Sequence, residues 1–404
     1  MERYQHLKGF DRVAKILSED RSRLNAFMSV SGALFDAKPD EIRRFDYDVK
    51  GAKWTVWESP GWKAFGDEAG TYNEFFDKRT GYTCKFGRTP DEDPEWCQLG
   101  PDIADIEVVA GKCPKINGHN CAFCYKNNGG DVANCMTLAQ FKELLDFFPK
   151  NLCQIAFGIT GYYTNPEFPA MMAYARENGV VPNYTTNGVD IDAAAVEHTL
   201  NTCGRVAVSC YEGAKDLCYS TLDRFGKAAE KAGKAFPCNI HVVLSKSTYP
   251  HVVSVLEDAK EGRIPNLGAV VILRMKPVGR AKALDCEIPY GMYCKIVEFC
   301  LKNGVRFGFD SCGATRVSEV LSAIGRPELT ECVETCESSR FSAYVNWKRE
   351  YWNCSFCEGN SEITEAVRPL DFKTFQEFWN SPKLDAVRFP KSRACASCPW
   401  YKLD

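Results

Sequence analysis

VVAGKCPKINGHNCAFCYKNNGG, residues 108–130, places Cys113, Cys121 and Cys124 directly after an apolar run, with seven residues between the first two thiols and two between the last two. The run IEVVA (106–110) reads as a buried strand, so the cysteines fall on the loop that leaves its C-terminal end. Three thiolates on one loop suit a [4Fe–4S] cluster, whose fourth iron then stays open to a substrate or cofactor. Cys-x2-Cys is also half of a zinc site, which His119 or Cys135 would complete, and the spacing alone does not separate the two.

Downstream, strands and helices alternate. Buried strands are expected at QIAFGI (154–159), VPNYTT (181–186), RVAVSC (205–210), NIHVVL (239–244), AVVILRM (269–275) and VRFGFD (305–310). Helical spacing is expected at 137–148, 166–179, 192–203, 223–233, 250–262 and 292–304, with Gly179 and Gly304 as left-handed caps. Such alternation predicts βαβ units and a parallel sheet, and six units are enough for an α/β fold of the partial (β/α)6 TIM-barrel type. Before it, residues 1–100 read as an N-terminal extension: helical spacing at Leu7, Phe10, Val13, Ile16 and Leu17, then a Trp-, Gly- and Pro-rich stretch expected to form a short hairpin and loops. After residue 310 the alternation stops. Residues 311–404 hold seven cysteines (312, 332, 336, 354, 357, 395 and 398) and read as a small cysteine-rich domain stapled by a metal centre. The three units are thus 1–100, 101–310 and 311–404.

Composition narrows the classes. The chain has 404 residues, 45% of them hydrophobic, and a net charge of -3, which fits a globular protein and gives no basis for nucleic-acid binding. No apolar stretch approaches the roughly 20 residues of a membrane span, and the first residues lack a signal-peptide core, so a cytoplasmic location with no membrane partner is expected. Twenty-one cysteines in such a protein point to metal or cluster ligation before disulfides. Cys153, Cys203, Cys210, Cys218, Cys238, Cys294 and Cys300 fall within strands and helices and read as small buried apolar residues.

Residues 105–310 resemble the radical S-adenosylmethionine (SAM) superfamily: a three-cysteine loop after the first strand, an aromatic, Phe123, just before the last cysteine, and six βα units behind it. The superfamily's usual spacing is three and two residues, so the seven-residue gap is a departure. The resemblance implies a [4Fe–4S] cluster on Cys113, Cys121 and Cys124, with SAM chelating the open iron. It also implies reductive cleavage to methionine and a 5′-deoxyadenosyl radical, which abstracts hydrogen from substrate.

FGITG (157–161) stands where the family has a Gly-Gly-Glu segment; the acid is missing, and the carbonyls of Gly158 and Ile159 are the expected substitutes. TTNG (185–188) resembles the ribose-side segment, with Thr186 and Asn187 as contacts, and Ser209 and His241 would face the same mouth. For each, a polar strand terminus is the competing reading. RMKPVGRAK (274–282) resembles the Lys-Pro-x-Gly-Arg-Ala turn of the peptide-modifying branch. The tail resembles the SPASM or twitch auxiliary-cluster domains, which implies one auxiliary [4Fe–4S] cluster on Cys312, Cys336, Cys354 and Cys398, with Cys332, Cys357 and Cys395 as spares; a zinc ribbon on 354/357 and 395/398 competes. Asp310 is expected either as a base toward a substrate radical or as a turn cap.

The expected activity is therefore radical chemistry on a peptide or protein, with a precursor peptide as partner, held in part by the N-terminal hundred residues. The expected modifications are a crosslink, a thioether, an epimerisation or a backbone excision, and flavodoxin or ferredoxin would donate the electron. The alternatives are a radical SAM enzyme acting on a small molecule or nucleic acid, and a zinc-binding interaction protein.

Overall fold

The computed structural model describes residues 41–89, 92, 94–359 and 365–388. The helical spacing expected at 1–30, and Cys395 and Cys398, lie outside these residues.

Five antiparallel strands open the described chain: β1 (Arg43–Val49), β2 (Ala52–Glu58), β3 (Trp62–Asp67), β4 (Asn73–Asp77) and β5 (Thr83–Phe86), paired in sequence order. Lys50 and Gly51, both at positive φ, make the two-residue turn that matches strand twist between β1 and β2. The stretch is thus a complete sheet, more than the hairpin and loops its turn residues suggested. Alternation explains why: Trp54, Val56, Phe65, Tyr72 and Phe76 fill one face, Trp62, Ala64, Phe75 and Phe86 the other. The first face is closed by Cys97, Leu99, Cys153 and Val181 from the rest of the chain. At this seam the Lys85 ammonium lies 2.9 Å from Asp102 and 3.1 Å from Glu337.

The second sheet has nine strands and is mostly parallel. Its parallel run is β6 (Ile103–Glu107), β9 (Gln154–Gly158), β10 (Val181–Thr186), β11 (Arg205–Ser209), β12 (Cys238–Leu244), β13 (Leu267–Arg274) and β14 (Phe307–Phe309), neighbours in space as in sequence. Between them run α1 (Leu138–Phe147), α2 (Phe168–Glu177), α3 (Ala193–Thr202), α4 (Lys215–Lys231), α5 (Tyr249–Lys260) and α6 (Tyr290–Asn303). Crossovers that always step the same way, with right-handed connections, put every helix on one face of the sheet. Burial agrees: in β12, Cys238, Ile240, Val242 and Leu244 are fully buried among helix residues, while Asn239, His241 and Val243 are half-buried on the opposite face. That second face is lined by small and polar residues, among them Ala156, Gly158, Asn183 and Thr185. Gly179 and Gly304 take the left-handed conformation at the ends of α2 and α6, as expected.

The C-terminal residues do more than the thiol count suggested. A helix, α7 (Ala314–Ala323), buries Val317, Val320 and Leu321. Strand β15 (Ser342–Val345) then pairs parallel with β6, Ser342 opposite Ile103, and β16 (Tyr351–Trp352) returns antiparallel to it. The sheet therefore ends at β14 on one side and β16 on the other, and no pairing joins those edges among the described residues. Two short helices, α8 (Phe375–Trp379) and α9 (Pro382–Arg388), follow. Trp379 donates to the Cys97 carbonyl at 2.8 Å and so ties this end of the chain to the seam. No helix among the described residues is long and apolar enough to cross a membrane.

Candidate active site

The three-cysteine loop leaves the sheet at Val108, whose N–H donates to the Gly158 carbonyl (3.0 Å). A two-stranded ribbon, β7 (Val109–Gly111) against β8 (Ala133–Cys135), closes its base. Gly111 is required there: at φ +91° a Cβ would lie 2.4 Å from the Val132 carbonyl oxygen. The long gap between Cys113 and Cys121 folds as a tight hairpin of its own. Ile116 and His119 exchange backbone hydrogen bonds at 3.0 and 2.9 Å across Asn117 and Gly118, both at positive φ. The departure from the usual spacing is thus absorbed in a side excursion, and the thiols stay together.

Cys113, Cys121 and Cys124 are half-buried and free. Burial first, then the neighbouring Cys121 and Cys124, pushes the Cys113 thiol up to about 12, while Arg280 pulls the other way. Cys121 is raised chiefly by burial. Bound cations reverse this order, because a coordinating thiol gives up its proton. His119 is exposed on the hairpin, and the Cys135 thiol turns to the Thr164 carbonyl at 3.7 Å, so neither joins the three. Among the described residues, no three His, Cys, Asp or Glu side chains converge on a point that holds a single ion. An iron–sulfur cluster makes no such demand, since each thiolate binds a different iron. Two polar atoms beside the loop are buried without a partner, Thr160 Oγ1 and Asp190 Oδ1, and the Cys113 thiol lies 3.5 Å from the Thr160 carbonyl. Three gathered thiols and two unsatisfied polar atoms fit a cluster with a polar ligand on it.

The turn at 276–281 clamps this loop. Arg280 donates from Nε to the Cys121 carbonyl (2.8 Å), from its terminal nitrogen to the Asn128 carbonyl (2.7 Å), and from its backbone N–H to the Cys124 carbonyl (3.1 Å). Gly279, at φ +59°, packs so closely that a Cβ would meet the Tyr125 carbonyl oxygen at 2.3 Å. The function of Arg280 needs partners distant in sequence, and only the motif's family resemblance signalled it.

Several of the residues expected to contact a ligand also make contacts within the protein. The Gly158 carbonyl already accepts from Val108, and the residue's lack of a side chain lets the strand pass Glu107, 3.0 Å away. Ile159 packs against the core. Thr186 Oγ1 accepts from the Gly188 N–H at 3.0 Å. Asn187 accepts from Val189 N–H and donates to the Pro114 carbonyl, both at 3.1 Å, so its amide fixes the residue after Cys113. Phe123 packs at a tilt, ring centroids 5.6 Å apart, against Tyr211, a residue absent from the expected set, whose hydroxyl lies toward both Ser209 and Cys121.

Ser209 and His241 are register partners on the half-buried polar face of the sheet. His241 lies 3.5 Å from Thr185 Oγ1, and burial holds its imidazole down at about 4, so it is neutral at neutral pH. Asp310 is ion-paired with the buried Lys276 at 2.5 Å and accepts from the Arg274 N–H at 3.3 Å, an anchor between strand end and turn. Lys276 in turn sits 4.2 Å over the Phe356 ring.

A second group of thiols surrounds Cys312. Burial pushes the Cys312 thiol up to about 12; Lys276 opposes it, while Asp310, Cys336 and Cys354 add to it, so Cys336 and Cys354 each lie within electrostatic reach of Cys312. Cys357, expected as a spare, is 3.4 Å from Cys354 and buried. Cys332 is exposed. Between the two thiol groups, Lys126 binds Glu107 (3.0 Å), the Tyr344 hydroxyl (2.7 Å) and Glu358. That network joins β6, β15 and both cysteine segments, and nothing local in the sequence announces it.

Neither a protein-family model nor a curated protein matches the chain. Solved structures do match its fold. The chain is similar to SuiB of Streptococcus suis bound to S-adenosylmethionine (TM-score 0.55, 14% identity, 75% of this chain and 72% of that chain). It is equally similar to SuiB bound to the precursor peptide SuiA (TM-score 0.55, 14% identity, 75% and 70%). A third match is anSMEcpe with bound AdoMet and the Cp18Cys peptide (TM-score 0.52, 17% identity, 74% and 87%). What the chain holds in common with these structures is an α/β fold with a mostly parallel central sheet, consistent with the resemblance to the radical SAM superfamily.

Proposed function

We propose that this chain is a radical SAM enzyme acting on a peptide or protein substrate. The observation that carries the reading is the gathering of Cys113, Cys121 and Cys124 at the end of β6, clamped by Arg280, on a fold shared with S-adenosylmethionine-bound structures. Cys113, Cys121 and Cys124 would hold a [4Fe–4S] cluster, and the chemistry it would supply when bound is one-electron reductive cleavage of SAM. The chain's own residues do the rest. Asn187 and Arg280 fix the loop, Thr160 and Asp190 offer polar atoms to the bound cofactor, and Phe123 and Tyr211 exclude water on one side. Ser209 and neutral His241 line the half-buried polar face, which we read as the inner wall of a partial (β/α)6 barrel open to substrate.

A peptide substrate is supported by the precursor peptide in the SuiB complex and the Cp18Cys peptide in the anSMEcpe complex. For an auxiliary [4Fe–4S] cluster we assign Cys312, Cys336 and Cys354, with Cys398 as fourth ligand; Cys357 is the competing fourth ligand. A flavodoxin or ferredoxin is the proposed reductant, and residues 311–404 form the domain built around the auxiliary cluster. The test is anaerobic purification with assay of iron, sulfide and 5′-deoxyadenosine formation from SAM, repeated on a Cys113/Cys121/Cys124→Ala variant. Brown protein that cleaves SAM, and a variant that has lost about half its iron and all cleavage, is the expected result. Colourless zinc protein with no SAM binding would leave the interaction-protein reading in its place.

A further inference from the structure

Away from the thiols, the five-stranded sheet meets the end of α2 around a cavity of about 560 Å³. Arg43, Lys78, Arg79 and Arg176 line it, with Glu41 and Glu177 exposed at its rim. Beneath it lies an imbalance of charge. The Glu58 carboxylate, 1% exposed, is shared by three cations: Arg43 at 2.8 Å, Lys78 at 2.7 Å and Lys63 at 3.6 Å. Gly179 makes room for that carboxylate, since a Cβ there would lie 1.6 Å from Glu58 Oε1. Arg79 has Asp77 at 3.6 Å. Arg176 is half-buried, and its guanidinium makes no hydrogen bond or ion pair among the described residues. Counting the rim, five cationic groups thus meet four carboxylates, two of them buried and two exposed, and of the cations Arg176 is the one with no acceptor. A desolvated guanidinium without an acceptor is costly, and a bidentate oxyanion is the partner its shape suits best.

We propose that this cavity binds an anionic group, a carboxylate or a phosphate, through Arg176 and Arg79. It is an exosite, not part of the thiol site. Gly179 precedes β10, whereas Asn187 and Asp190, which adjoin the three-cysteine loop, follow its far end; six residues of strand separate the two by about 20 Å. The anion has two possible sources, an acidic side chain of the peptide substrate or a free small anion, and only the first rests on the function proposed above.

The experiment is calorimetric titration of the reconstituted full chain with inorganic phosphate, succinate, end-capped hexaglutamate and end-capped hexaglutamine. The variants are Arg176→Gln, Arg79→Gln and, as control, Lys227→Gln on the exposed face of α4. The expected result is saturable binding of at least one anion and none of hexaglutamine. Arg176→Gln and Arg79→Gln should each weaken that binding about tenfold, as loss of one charge-assisted pair does, while Lys227→Gln leaves it unchanged. Binding of hexaglutamate alone assigns the cavity to an acidic peptide segment, and binding of the small anions alone assigns it to a free anion. No saturable binding, or an affinity in both Arg176→Gln and Arg79→Gln equal to that of the wild type, overturns the proposal. SAM cleavage is read on the same samples, so anion binding without cleavage counts against the enzymatic reading and not against the cavity.

Discussion

Arg280 holds Cys121 by its backbone and not by its thiol: Nε donates to the Cys121 carbonyl at 2.8 Å while a second nitrogen holds Asn128. A fork that spans two carbonyls cannot be replaced by a point charge. Arg280→Lys is therefore expected to keep the fold but loosen the loop, so that iron is lost to a chelator roughly ten times faster, about 1.4 kcal/mol of loop stability. Chelator-trapped iron release, followed at 25 °C, checks this; an unchanged rate sinks the clamp.

Gly279 offers a sharper steric test. Adding a methyl at φ +59° and 2.3 Å from the Tyr125 carbonyl should cost about 1–3 kcal/mol and lower both the melting temperature and the iron content. Gly291, in the first turn of α6 with open space around it, is the contrasting site. Gly291→Ala should raise stability by about 0.5–1 kcal/mol and leave iron unchanged.

Asp310 distinguishes an anchor from a base. As an anchor, Asp310→Asn leaves the buried Lys276 charge uncompensated and should cost roughly 3 kcal/mol in urea unfolding. As a base, the same change would spare stability and 5′-deoxyadenosine formation while abolishing product. The geometry favours the first result.

The seam around Lys85 should respond to pH. Burial pushes the Glu337 carboxyl up to about 7 against the pull of Lys85, and raises Glu74 well above its ordinary range. A carboxyl whose folded pKa is raised holds its proton better in the folded state, so stability is lost as pH climbs from the ordinary carboxylate range through about 7. Melting curves of wild type and Glu337→Gln should therefore run together near pH 4.5, separate as pH rises from there to about 7 and stay apart above it, the variant melting higher.

Cys357 and Cys398 compete for one role. If Cys357 completes the auxiliary site, Cys357→Ala should lose about four irons, and Cys398→Ala none. The reverse pattern restores the spacing-based choice.

Local pattern carried most of the α/β part. The strand VPNYTT and the helix 192–203 were legible because apolar spacing there agrees with the fold. Helix α4 was read from residue 223, yet it starts at Lys215 without any capping side chain, so no local signal marks its start. The entry of β15 beside β6, the docking of Arg280 and the diversion of Asn187 to Pro114 are pairings between distant segments, which periodicity cannot show. The protein partners of the site residues were out of reach for the same reason. A polar side chain at a strand end looks alike whether it greets a ligand or ties down a loop.

The Asn117–Gly118 hairpin changes how such loops should be searched for. Because its two limbs return to within hydrogen-bonding distance, the chain re-enters the ligand loop almost where it left, and ligand position is insulated from insert length. Sequence patterns that count residues between thiols measure the contour of the chain, while the metal site depends only on the end-to-end distance. An excursion that keeps the Ile116–His119 pairing at its base is open to grafting at this point, as a handle for a partner or a label, without disturbing the thiols on either side.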